Sequence, residues 1–107
     1  MINITMHYQN KNYISGFIVN GHANFKKDGD DIVCAAISVL AQTIILTLGK
    51  YFPNFLMYKR KDGFLECDLS LSELSELEIK TAQVIFDTFI IGIESIKEEY
   101  SKYIKIL

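Results

Sequence analysis

Gly21-His22-Ala23, a polar stretch, and then Gly29-Asp30-Asp31-Ile32-Val33-Cys34-Ala35-Ala36-Ile37-Ser38 mark where this chain turns from strand to helix. Before the junction, residues 13–20 are rich in β-formers (Tyr13, Ile14, Phe17, Ile18, Val19), and Gly21 ends them. Residues 24–30, punctuated by Gly29, read as a loop. Beyond it Asp31 is a good N-cap, and the nearly uncharged apolar run predicts a helix over 32–48 closed by Gly49.

Working outward, Ile2, Ile4, Met6 and Tyr8 recur at every second residue, the period of a half-buried strand. Gln9-Asn10-Lys11-Asn12 is a polar turn, so residues 13–20 are expected to pair back antiparallel. Pro53 restarts the chain after the helix. Residues 55–60 and 64–69 flank Lys61-Asp62-Gly63, and Asp-Gly is a strong hairpin signal. Ser70 and Glu73 stand at capping-box spacing, which predicts a second helix beginning within 70–75. Its apolar face reads Ala82, Ile85, Phe86, Phe89, Ile93, Ile96 and Tyr100. Residues 103–107 add a short final strand. The pattern is α+β: strand-strand-helix-strand-strand-helix, a two-layer domain of mainly antiparallel sheet packed on two helices.

Length and composition narrow the class. The chain has 107 residues, half of them apolar and 22% charged, so one globular domain over 1–107 is expected. A net charge of −2 disfavours a general nucleic-acid binder. The run 32–48 sits at the short limit for a membrane span and carries Ser38, Gln42, Thr43 and Thr47. A helix buried on most sides, or covered by a partner subunit, explains it better. Two cysteines do not make a disulfide framework, and the first residues alternate like a strand rather than a leader. Both point to a reducing cytosol.

The chemistry centres on Cys34 and His22. With Asp31 as cap, Cys34 is the third helical residue, where unpaired N–H groups and the dipole favour a thiolate and an oxyanion. A histidine at the preceding strand end is a candidate proton acceptor, provided the loop folds back. The bland alternative is a small packed thiol in Val33-Cys34-Ala35-Ala36. Asp30 or Asp31 is a candidate to orient His22, with Asp31 equally well explained as the cap alone. Ser38 lies one turn beyond Cys34 on the same face, placed to support it or to bond its own helix. Cys67 alternates with Leu65 and Leu69 and reads as core, and His7 reads as surface. His7, His22, Cys34 and Cys67 lack a close-spaced ligand pair, so no metal or other cofactor is expected.

Gly21-His22-Ala23, Gly29, Asp31-Ile32-Val33-Cys34-Ala35 and Ser38 resemble the ribosomal-processing cysteine protease (Prp) family of bacteria. The likeness runs over the whole length, through the long second helix to the Tyr-Ile ending. It implies a small homodimeric α/β cysteine endopeptidase with His22 as base and Cys34 as nucleophile. It also implies a peptide substrate, the N-terminal extension of the precursor of large-subunit ribosomal protein L-twenty-seven, cut after an apolar, aromatic-ended segment and before a basic one. Asp28, Asp30 and Asp31 are placed to attract those basic residues. The 24–30 loop is expected to move to admit the peptide. Two alternatives remain open. One is a non-catalytic dimeric module that binds a ribosomal protein or assembly factor, and the other is a thiol redox or acyl-transfer protein.

Overall fold

Alternation dictates the first layer. Ile2 and Ile4 are buried and Met6 packs against the same core, while half-buried His7 lies on the opposite face of the strand. The computed structural model describes residues 1–10, 12–22 and 31–107. Ile2–Gln9 (β1) pairs antiparallel with Tyr13–Asn20 (β2), and β2 pairs antiparallel with Phe64–Leu69 (β4). Leu56–Lys61 (β3) completes the hairpin with β4, and Ile104–Ile106 (β5) runs parallel to β1. The sheet order is β3-β4-β2-β1-β5. The expected α+β architecture is present, with one parallel pair added at the edge.

The second layer is Ile32–Tyr51 (α1) and Glu76–Glu99 (α2), which lie side by side with Leu40 seated over Gly92. Helix α1 buries Val33, Ile37, Ala41, Ile44, Ile45 and Leu48, and α2 buries Ala82, Phe86, Phe89 and Ile93. At the centre Phe17 of β2 stacks on Phe89, centroids 3.9 Å apart, and meets Phe86 edge-on at 6.4 Å. Helix α1 is long and apolar enough to cross a membrane. Here its inner face is core instead. Its outer face keeps Ile32, Val39 and Leu46 exposed, each seven residues from the next.

Several boundaries differ from expectation. Gly49 does not close α1, which continues to Tyr51 and ends where the Phe52 N–H donates to the Leu48 carbonyl. Pro53 is the stop, because it disfavours helical geometry in the residue before it, and Phe52 is at φ −133°, ψ 54°. Nor does Ser70 cap the second helix. Its segment forms a 3₁₀ turn, Leu71–Glu73, whose three-residue period carries Leu71 and Leu74 into the core together. The capping box is Ser75 with Glu78, five residues later. Strand β3 lies one residue later at each end than the expected 55–60, and β5 is shorter than the expected 103–107.

One side chain of α2 acts as a piece of strand. Strand β2 bulges against β1 between Gly16 and Ile14, leaving Ser15 as the extra residue. Gln83 then pairs with both backbone groups of Ile14, accepting from its N–H at 2.8 Å and donating to its carbonyl at 2.8 Å. The amide replaces a strand partner where β4 has ended.

Candidate active site

Asp31 caps α1 as expected, with one carboxylate oxygen accepting from the Val33 and Cys34 N–H groups at 3.0 Å each. The Ala35 N–H donates to the Asp31 carbonyl at 3.0 Å. The backbone donors expected to cradle an oxyanion at Cys34 are therefore already engaged. A carboxylate against that first turn also offsets the dipole that would favour a thiolate. Cys34 itself is half-buried against the core. Ser38 follows one turn later, its hydroxyl accepting from Gln42 Nε2 at 2.8 Å.

His22 is reached from the other layer. Gly21 leaves β2 at φ 103°, a backbone that favours glycine, and its N–H donates to the Gly63 carbonyl at 2.8 Å. The His22 carbonyl accepts from the Met1 nitrogen at 2.6 Å. The imidazole is thus carried to the tip of the β3–β4 hairpin, where Nε2 lies 3.9 Å from an oxygen of Asp62.

Cys34, Ser38 and His22 line one open cavity of about 500 Å³. Ile2, Val19, Ile37 and Leu65 give its floor an apolar character, and the hairpin tip supplies Arg60, Lys61 and Asp62. The structure so brings together three of the four expected site residues around one cavity, with Asp31 capping the helix that carries Cys34. Asp28, Asp30, Ala23 and the 24–30 loop lie outside the described residues. Gln42, Arg60, Lys61 and Asp62 went unread in the sequence. Asp62-Gly63 was visible only as a turn signal, because nothing local says what the turn faces.

A family model described as cysteine protease Prp matches residues 1–105. The chain belongs to this Prp family of cysteine proteases. A Bacillus subtilis (strain 168) protein named ribosomal processing cysteine protease Prp is 27% identical over 109 residues, covering 99% of this chain and 96% of its own. A crystal structure of the essential ribosomal processing protease Prp from S. aureus, in complex with a covalently linked product peptide, superposes with a TM-score of 0.81. It is 23% identical and covers 99% of this chain and 97% of that one. The S. aureus protease in complex with a substrate peptide gives a TM-score of 0.78 at 21% identity, with 100% and 98% covered. Family membership makes the chain a cysteine protease and sets the binding-only alternative aside.

A Prp-family protease needs one reactive thiol, and the two in this chain differ sharply. Cys67 has no exposed surface, as its alternation with Leu65 and Leu69 predicted. Burial pushes its thiol from the ordinary 9.0 up to about 12. In the folded protein at pH 8, iodoacetamide is expected to label Cys34 and leave Cys67 intact until denaturant is added, as read by intact-mass spectrometry. Labelling of both at equal rates would show that Cys67 is not enclosed. Because its folded pKa is raised, the stability linked to Cys67 is complete below about pH 9 and declines as pH rises towards 12.

Proposed function

We propose that this Prp-family protease removes the N-terminal extension of the precursor of ribosomal protein L-twenty-seven, with Cys34 as nucleophile and His22 as general base. The observation that carries the reading is the cavity that Cys34 and His22 both line, and the family match over residues 1–105 supports it. The ribosomal-processing name of the B. subtilis relative supports the substrate.

In this reading the extension lies extended, its apolar end over Val19, Ile37 and Leu65 and its basic end towards Asp31 at the start of α1. His22 takes the thiol proton as Cys34 sulfur bonds to the scissile carbonyl carbon. The carbonyl becomes an oxyanion. With the Cys34 N–H held by Asp31, the hydroxyl of Ser38 is the donor one turn away on the same wall, a supporting role. The tetrahedral intermediate collapses, His22 protonates the leaving amine, and a thioester remains. Water, deprotonated by His22, then releases the new carboxylate and restores the thiol.

The test is cleavage of a synthetic peptide spanning that junction, followed by mass spectrometry. Wild type and Cys67→Ser are expected to produce the new N-terminus, and Cys34→Ala is expected not to. Retained cleavage by Cys34→Ala would remove the mechanism.

The same proposal includes a homodimer. Its support is the apolar outer surface of the helical layer, where Ile32, Val39 and Leu46 on α1 are matched by Leu77, Val84 and Ile91 on α2. All six are at least half exposed and share a seven-residue spacing, the repeat of helix-to-helix seams. Leu46→Glu is expected to shift the sedimenting species from dimer to monomer. A dimer that survives it at micromolar concentration would place the contact elsewhere.

A further inference from the structure

The hairpin tip meets the imidazole at one vertex. A methyl group added to Gly63 would lie 2.6 Å from His22 Nε2 and 3.2 and 3.3 Å from Cδ2 and Cε1. Those are Nε2 and its two ring neighbours, so the Nε2 corner of the ring points at the turn. Gly63 is required twice over, by its φ of 69° and by the room it gives the ring. Beside it the Asp62 carboxylate stands 3.9 Å from the same nitrogen, while the Gly21 N–H to Gly63 carbonyl bond ties the backbone of the two segments together. Asp62 is 99% exposed and supports no packing.

We propose that Asp62 is a positioning residue for His22, the Asp62-Gly63 turn holding the Nε2 side of the imidazole so that Nδ1 exchanges the proton with Cys34. This rests on the Cys34–His22 reading above. A base is most effective when a third group fixes its ring and tautomer. The spacing of 3.9 Å is longer than a hydrogen bond, as resting catalytic contacts often are, and shortens with a small turn of the exposed Asp62 side chain. The other charged groups around the cavity among the described residues are Arg60 and Lys61 on the same hairpin, Asp31 at the start of α1, and the Met1 α-ammonium that donates to the His22 carbonyl.

The experiment uses the full chain and two readouts, steady-state cleavage of the junction peptide and the rate of Cys34 alkylation by iodoacetamide. Asp62→Asn is expected to lower kcat about tenfold, the order of effect of an outer orienting partner, with KM unchanged. Alkylation should slow in parallel, and Asp62→Glu should recover most of both. Gly63→Ala should lower both further, with a thermal melt and continued protection of Cys67 showing that it folds. Wild-type rates in Asp62→Asn overturn the proposal. So does a change confined to KM, or no recovery in Asp62→Glu. If His22→Ala alkylates as fast as wild type, the underlying His–Cys reading has failed. If His22→Ala is slow and Asp62→Asn is not, only the role of Asp62 has failed. A peptide left uncut by wild type removes the substrate reading, and alkylation still decides Asp62.

Discussion

His22→Ala is expected to lower kcat on the junction peptide by about a hundred- to ten-thousandfold, the usual contribution of general acid–base catalysis. In the proposed mechanism the side chain acts at three steps: removal of the thiol proton, protonation of the leaving amine, and activation of water for thioester hydrolysis. No other imidazole lines the cavity, since His7 lies on the strand that carries Ile2 but on its opposite face. KM is expected to change little, because the cavity floor of Ile2, Val19, Ile37 and Leu65 is untouched. Structural collateral is also small. His22 is 54% exposed at the side chain, and its backbone contacts, Gly21 to Gly63 and Met1 to the His22 carbonyl, do not need the ring. Steady-state kinetics beside a thermal melt separate the two effects. A rate within about threefold of wild type would assign proton transfer to another group.

The largest loss of stability is expected from Phe17→Ala, about 3–5 kcal/mol. Phe17 is fully buried, stacks on Phe89 and meets Phe86 edge-on, so its ring joins the sheet to α2 through two aromatic contacts. Truncation removes the apolar burial and leaves a void that neither flanking ring can fill without losing its own packing. Against a stability of about 5–15 kcal/mol for domains in general, that is a severe deficit. Urea denaturation checks it. The m-value should stay constant while the midpoint falls, and a double-mutant cycle of Phe17→Ala with Phe89→Ala should show coupling near 1 kcal/mol. A loss below about 1.5 kcal/mol would mean that the core recloses around the gap.

The layers of the fold were legible because their signals are periodic. Ile2, Ile4 and Met6 announce one strand, Leu65, Cys67 and Leu69 another, and Ala82 through Ile93 the inner face of α2. Boundaries were less so, and for specific reasons. Ser70 with Glu73 and Ser75 with Glu78 carry the same spacing, and only the burial of Leu71 and Leu74 decides between them. Gly49 looked like a terminator, although the effective stop is Pro53 acting on Phe52. At the site, the motifs pointed to His22 and Cys34 because both flank one junction. What Asp31 does to the Cys34 N–H, and what Asp62-Gly63 faces, depends on contacts across 3 residues in one case and 40 in the other. The first is a competition between cap and oxyanion site that spacing cannot resolve. The second is a long-range approach that no local pattern encodes.

The amide of Gln83 offers a lesson about assembly. A hairpin with a bulge has two nearly equivalent alignments, and residues 9–13 alone give little reason to prefer one. By gripping Ile14 at both its donor and its acceptor, α2 selects the alignment in which Ile14 and Ser15 are both enclosed. The first two strands therefore acquire their final alignment only when a segment some seventy positions away has docked. Isolated from that segment, the hairpin should sample both alignments, and the intact chain should fold in a single cooperative step.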